Sequence, residues 1–115
     1  MTYTLIHHTG CGASKKGLAL LQENGIEPDV RKYMNASSRL SVEELKDIAK
    51  QMGGVSPREF MRAKDVERAG LPEDIDGDAL FEAMAENPKL IQRPIGINNG
   101  KAVLGRPADN LLTIT

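Results

Sequence analysis

Hydrophobic and polar residues in the first third of the chain follow two successive patterns. Residues 2–7 and 28–34 are short β-prone runs and predict two strands. Between them, residues 13–25 place apolar side chains at helical spacing and end at a glycine, which predicts a helix. The apolar residues at this spacing are Leu18, Ala19 and Leu21. A strand–helix–strand unit of this length is long enough for a right-handed crossover between parallel strands.

The middle of the chain predicts three helices. Residues 41–53 begin with Ser41, followed three positions later by Glu44, which is a capping-box pattern. Residues 56–64 begin the next helix, with a proline in the favoured first position. Residues 76–88 form the last helix, and its inward-facing residues are Leu80, Phe81 and Met84.

The C-terminal part of the chain predicts a β-hairpin and a short final helix. Residues 89–98 and 101–105 are strand candidates, and the Asn-Gly pair between them favours a tight hairpin turn. Residues 106–114 predict a short helix that a proline opens. The order of all these elements predicts an α/β domain with a mixed sheet, and it is also the order of the thioredoxin-like fold.

A thioredoxin-like chain of this order carries its extra helices between the second and third strands. We therefore expect one domain over residues 1–115, with a helical insert over about residues 38–87. Pro94 stands immediately before the third strand and is a candidate for a cis peptide bond that faces the first strand-to-helix turn.

The composition limits the classes of partner. The formal net charge is -1, from 15 basic and 16 acidic residues, so the chain has no general attraction to nucleic acid or anionic membranes. No apolar run approaches the ~18 residues that a transmembrane helix needs, and the N-terminus lacks a cationic leader. The single cysteine cannot form an internal disulfide. We therefore expect a cytoplasmic protein, because thiols stay reduced in that compartment.

Cys11 lies where the first strand ends and the first helix begins. Free helix N–H groups point at that place with about half a positive charge, so they stabilise a thiolate and lower the pKa of the thiol. Gly12 on one side and another glycine on the other leave room for an anion to approach the backbone, and Ser14 can add a hydroxyl hydrogen bond. The alternative is a buried structural cysteine, but a position in a glycine turn favours a reactive thiol.

The two histidines before this turn suggest a metal site only weakly. His7 and His8 with Cys11 would need a further ligand, and the chain has no second cysteine and no third histidine. We therefore expect no metal, with one histidine lining the thiol pocket and the other at the strand end or on the surface.

Several segments together resemble a known family. These segments are "IHHTGCGASKKGLALLQENGIEPDVRKYM", "SPREFMRAK", "ENPKLIQRPIGINNGKAVLGRP" and the terminal "NLL". In their order and spacing the chain resembles the glutaredoxin-dependent arsenate reductases, the ArsC branch of the thioredoxin-like fold. The resemblance covers essentially the whole chain, and "NPKLIQRPI", a hairpin and then "GRP" form its most specific part.

The resemblance implies a site built around one cysteine and three arginines. The nucleophile falls on Cys11, and the arginines that surround the oxyanion fall on Arg62, Arg93 and Arg106. The supporting residues of the family fall on His7 and Ser14. Independently of the resemblance, Arg93 and Arg106 each precede a proline at a strand end, and the hairpin brings those two strands together. Two guanidinium groups near a thiolate suit a tetrahedral oxyanion.

One stretch departs from the family pattern. Where the family often has His-Asn-Pro before the cysteine loop, His8 and Thr9 replace the asparagine and the proline. Loss of the proline loosens the loop, and an added histidine changes the charge of the pocket near neutral pH.

The resemblance also implies a reaction, in which the cysteine attacks arsenate and external thiols complete its reduction to arsenite. Those thiols are glutathione as co-substrate and then glutaredoxin, and the family role is arsenical resistance. No bound cofactor is required, and we expect a monomer.

Two other functions remain open. One is a glutathione-dependent thiol oxidoreductase of the same fold that acts on another substrate. The other is a binding protein like the Spx-type regulators of RNA polymerase, although Ser14 in "CGAS" occupies the place of their second cysteine. A phosphatase-like arsenate reductase is excluded, because its loop requires an arginine where Gly17 stands.

Overall fold

A four-stranded mixed sheet forms the centre of the protein. The computed structural model describes residues 3–70 and 77–115. Its strands are β1 (Thr4–Ile6), β2 (Asp29–Arg31), β3 (Ile95–Asn98) and β4 (Lys101–Leu104). They lie in the order β2-β1-β3-β4, with β1 parallel to β2 and the other two pairs antiparallel. This arrangement confirms the predicted mixed sheet, in which the crossover unit and the hairpin meet at β1.

Helices cover both faces of this sheet. The α-helices are α1 (Gly12–Glu23), α2 (Val42–Gln51), α3 (Ala63–Arg68) and α4 (Asp78–Glu86). Short 3-10 helical turns occur at Ala36–Ser38, Pro57–Phe60, Pro88–Leu90 and Ala108–Ile114. The last three α-helices follow β2 and precede β3. Two residues of predicted elements, Thr2 and Asp76, lie outside the described residues.

The core consists of two clusters, one on each face of the sheet. Leu5 of β1 points to the side of α1, and its neighbour Ile6 points to the side of α2 and α4, because side chains alternate along a strand. The first cluster contains Tyr3, Leu5, Leu21 and Leu111. The second is larger and includes Ile6, Tyr33, Leu45, Ile48, Phe60, Leu80, Met84, Leu90, Ile91 and Ile95. The result is a three-layer domain with the sheet in the middle.

Two local structures predicted from the sequence, the capping box of α2 and the hairpin turn, are present in the fold. Ser41 Oγ accepts a hydrogen bond from the Glu44 amide at 3.2 Å, and the Glu44 carboxylate accepts one from the Ser41 amide at 3.1 Å. This capping box starts α2. In the hairpin, Asn99 and Gly100 have φ values of 53° and 75°, the left-handed conformations that a tight turn between β3 and β4 needs.

The predicted helix over residues 56–64 is wrong as a single element. A 3-10 turn ends before Met61, which forms an isolated antiparallel bridge with Ile91, and α3 starts after Arg62. The Arg62 N–H donates to the Leu90 carbonyl oxygen at 2.7 Å, so a distant segment takes a backbone group that would have continued the helix. This bridge holds Arg62 beside the segment that leads into β3.

The predicted strand over residues 89–98 is shorter than expected, since β3 begins only at Ile95. Pro94 has no N–H for a ladder, and the carbonyl oxygen of Arg93 accepts a hydrogen bond from Arg106 Nε at 2.8 Å instead. The residues just before β3 therefore lie outside the strand, and Arg93 interacts with Arg106. Within residues 3–70 and 77–115, no helix is long and apolar enough to cross a bilayer.

Candidate active site

Cys11 is the N-cap residue of α1, in the turn that follows β1. Its backbone is extended, with φ -103° and ψ 123°, and its carbonyl oxygen accepts the first helical hydrogen bond from Lys15 at 3.1 Å. Its own N–H donates to the His8 carbonyl oxygen at 3.0 Å, which closes the turn. The thiol is only partly buried and remains accessible. The sulfur makes no capping hydrogen bond within α1, so the helix amides act on it mainly as partial positive charges.

The pKa of Cys11 is lowered from 9.0 to about 7. Partial burial acts to raise it, but four groups that favour the thiolate outweigh burial. In decreasing order of effect they are the Ser14 amide, the Arg93 side chain, the Ala13 amide and the Ser14 hydroxyl. A substantial fraction of the thiol is therefore ionised at neutral pH, which is the nucleophilic form.

Ser14 and the glycines shape the loop around this thiol. Ser14 is fully buried, and its Oγ accepts a hydrogen bond from the His8 amide at 3.3 Å. A Cβ atom at Gly12 would meet no other protein atom within 4 Å, so the space beside this residue is open. A Cβ atom at Gly10 would lie 3.3 Å from His8 Nε2, so the imidazole of His8 covers that side of the loop.

Two of the three expected arginines reach the thiol. Arg106 Nη2 lies 3.7 Å from Cys11 Sγ, while its Nε is held by the Arg93 carbonyl oxygen. Arg93 is 6% exposed, and its Nη1 donates to the Ile91 carbonyl oxygen at 3.2 Å. Arg93 therefore presents a buried guanidinium to the sulfur, and Arg106 presents an exposed one.

Arg62, the third expected arginine, sits farther out. Its Nη1 forms an ion pair with Asp65 at 3.4 Å, one turn along α3. Its charge nevertheless acts to lower the pKa of His8 and of Tyr33, so the guanidinium lies within electrostatic range of the pocket. The structure thus places Arg62 at the rim, paired with a carboxylate.

The two histidines occupy different surroundings. His7 is 4% exposed, and its Nδ1 has no hydrogen-bond partner among the described residues. Burial lowers the pKa of His7 first, followed by the positive charges of His8 and two lysines. The pKa of His8 is lowered by burial, then by Arg93 and Arg62, so His8 faces the arginine pocket. Both imidazoles are thereby shifted toward their neutral forms.

The Arg93–Pro94 peptide bond is cis, as expected from the position of Pro94, and the Arg106–Pro107 bond is also cis. A Cβ atom at Gly17 of α1 would approach Pro94 Cγ to 3.0 Å, so the proline ring packs tightly on the helix that carries the cysteine. Across the two described ranges, no group of three or more His, Cys, Asp or Glu residues is arranged to hold a metal ion.

Tyr33 is the site residue that sequence reasoning missed. It is fully buried, lies two residues after the end of β2, and its hydroxyl donates to the Ile91 carbonyl oxygen at 3.4 Å. The available signal was its position: β1 and β2 are parallel, so residues after their carboxyl ends meet at one edge of the sheet. Cys11 follows β1 at that same edge.

Comparison with known proteins gives a consistent match over the whole chain. A sequence profile described as the ArsC family matches residues 6–114. The chain is 43% identical to the arsenate reductase of Neisseria meningitidis serogroup A over 110 residues, covering 93% of this chain and 92% of the relative. It is 38% identical to the arsenate reductase of Haemophilus influenzae over 117 residues, covering 99% of each. The solved structure of the arsenate reductase from Vibrio cholerae superposes with a TM-score of 0.88 at 42% identity, covering 100% of this chain and 98% of that one.

Proposed function

The chain belongs to the ArsC family, and we propose that it is an arsenate reductase whose nucleophile is the Cys11 thiolate. The observation that carries the proposal is the approach of Arg106 Nη2 to Cys11 Sγ at 3.7 Å, between residues 95 positions apart in the chain. A thiolate at a helix N-terminus beside guanidinium groups suits attack on the central atom of an anionic, tetrahedral substrate.

In the first step, the Cys11 sulfur attacks the arsenic of bound arsenate and a sulfur–arsenic bond forms. One oxygen of arsenate takes up protons and leaves as water. Arg93 and Arg106 donate hydrogen bonds to the remaining oxygens and offset the negative charge that develops in the transition state. In this proposal Arg62 is the third oxyanion ligand, and it exchanges its contact with Asp65 for one with the substrate.

External thiols complete the reaction, because the chain has one cysteine and cannot resolve the adduct internally. The thiol of glutathione first replaces another oxygen on arsenic, and that oxygen leaves as water. The thiol of glutaredoxin then attacks the glutathione sulfur, and a mixed disulfide forms between the two donors. The electron pair of the broken sulfur–arsenic bond stays on arsenic, which passes from the pentavalent to the trivalent state. Hydrolysis of the remaining bond to Cys11 releases arsenite and restores the thiol.

The proposal places the reaction in the cytoplasm, in a monomer without a bound cofactor. The cytoplasm supplies both the reduced thiols and the conditions in which a lone cysteine stays reduced. The alternative, reduction of a glutathione mixed disulfide, needs the same thiolate but makes no use of three arginines.

A coupled assay tests this proposal with the purified chain, arsenate, glutathione, glutaredoxin, glutathione reductase and NADPH. We expect arsenate-dependent oxidation of NADPH that Cys11→Ser abolishes. Omitting glutaredoxin from the mixture should slow turnover and thus identify the second donor. Turnover no faster than that of Cys11→Ser would contradict the proposal. Efficient reduction of a glutathione mixed disulfide without arsenate turnover would favour the alternative.

A further inference from the structure

Tyr33 combines deep burial with a position at the edge of the sheet where Cys11 follows β1. Its side chain is fully buried in the larger core cluster, two residues after the end of β2. A buried phenol normally finds a hydrogen-bond partner, and the hydroxyl of Tyr33 donates to the Ile91 carbonyl oxygen at 3.4 Å. Packing alone explains the aromatic ring, but it does not explain why the ring carries a hydroxyl group there.

The same carbonyl oxygen holds a second donor. Arg93 Nη1 donates to the Ile91 oxygen at 3.2 Å, so one acceptor fixes the Tyr33 phenol and the Arg93 guanidinium side by side. Arg93 is 6% exposed, and its Nε has no hydrogen-bond partner among the described residues. Because a buried guanidinium with few hydrogen-bond partners is costly to desolvate, each remaining hydrogen bond matters for the position of the Arg93 side chain.

The charges in the pocket agree with this geometry. Burial raises the pKa of Tyr33, whereas the positive charge of Arg93 acts to lower it. A negative charge on Cys11 acts to raise it further. The phenol is therefore neutral at physiological pH and keeps the proton that it donates to the Ile91 carbonyl oxygen.

We propose that Tyr33 is a positioning residue, whose hydroxyl and the shared Ile91 carbonyl oxygen hold the Arg93 guanidinium toward the Cys11 sulfur. The consequence for arsenate binding rests on the proposed function. The consequence for the thiol does not, because it requires only that Arg93 faces Cys11.

The chain offers a matched control in Tyr3, its other tyrosine. Tyr3 is 5% exposed, and its hydroxyl donates to the Leu111 carbonyl oxygen at 2.7 Å in the core cluster on the opposite face of the sheet. Tyr33→Phe and Tyr3→Phe each keep an aromatic ring and remove one buried hydrogen bond. Any effect common to both variants reports stability, and an effect confined to Tyr33→Phe reports the active site.

The first measurement is the titration of the thiol by the ultraviolet absorbance of the thiolate. The signal is unambiguous because the chain has one cysteine. We expect Tyr33→Phe to raise the pKa of Cys11 by roughly half a unit to one unit, since Arg93 is then less firmly held beside the thiolate. In the coupled assay, kcat/KM for arsenate should fall roughly tenfold, mainly through KM. Tyr3→Phe should leave both quantities at the wild-type values.

A double-mutant cycle with Arg93→Gln separates positioning from direct action. If Tyr33 acts through Arg93, Tyr33→Phe has no further effect on the pKa of Cys11 once Arg93 is replaced. An undiminished effect in that background would overturn the proposal, as would identical pKa values in Tyr33→Phe and Tyr3→Phe. If the wild-type chain does not reduce arsenate, the proposed function fails, while the thiol titration and the cycle still decide the role of Tyr33.

Discussion

The lowered pKa of Cys11 makes the stability of the protein depend on pH in a defined direction. The pKa is 9.0 without the folded surroundings and about 7 within them. Between these values the folded protein holds a thiolate while the unfolded chain still binds the proton, so the free energy of unfolding rises with pH. The added stability is complete above pH 9.0 and is lost as the pH falls through about 7.

The magnitude follows from the same pKa difference. A difference of about two pKa units corresponds to at most about 2.7 kcal/mol. Because the thiol is only partly buried, solvent screens its interactions, and we expect about 1 kcal/mol. The gain should therefore be measurable, but it should remain a modest part of the total stability.

The assay is urea unfolding of the wild-type protein and of Cys11→Ser at several pH values between about 6 and about 9.5. Subtracting the Cys11→Ser curve removes the titration of every other group that the substitution leaves unchanged. The difference should begin to grow as the pH rises through about 7 and should level off near 9.0, whereas the thiolate absorbance of the folded protein should show its midpoint near 7. Parallel stability curves, or a thiol that titrates near 9.0, would refute the reasoning, since the helix amides and Arg93 would then not favour the thiolate.

Single contacts lead to four more predictions. Arg93→Gln should raise both the pKa of the thiol and the KM for arsenate, the latter roughly tenfold. Arg106→Gln should raise mainly KM, because solvent screens the charge of this exposed guanidinium more than that of buried Arg93, and equal pKa changes in the two variants would contradict this difference. Gly17→Ala should lower the free energy of unfolding by about 1–3 kcal/mol although alanine favours helices, since its Cβ would lie 2.8 Å from Leu111 Cδ1. A Gly17→Ala variant more stable than the wild type would mean that Leu111 can move away from the new Cβ atom without loss of stability. Ser41→Ala should cost about 1 kcal/mol by removing the capping box, and an unchanged urea midpoint would count against that contribution.

Local interactions explain what the sequence alone could predict about the fold. The capping box at Ser41 and Glu44 and the hairpin turn at Asn99 depend on residues within a few positions of one another. The same holds for Cys11 at the start of α1, because the end of a strand and the onset of helical spacing are both visible in the sequence. Each of these features needs no information about distant segments.

The tertiary structure alone decided how the arginines and Tyr33 are arranged around the thiol. Arg62 is held by a backbone bridge to the segment before β3, which interrupts a helix that local propensity favours. The Tyr33 hydroxyl reaches the Ile91 carbonyl oxygen, which also holds Arg93, across 58 positions of sequence, and no periodic pattern predicts such a contact. The sequence determined that a thiol stands at a helix start. The charges that surround the thiol depended on long-range hydrogen bonds. A buried guanidinium is stable only when it has hydrogen-bond partners, and only the folded chain brings those partners together.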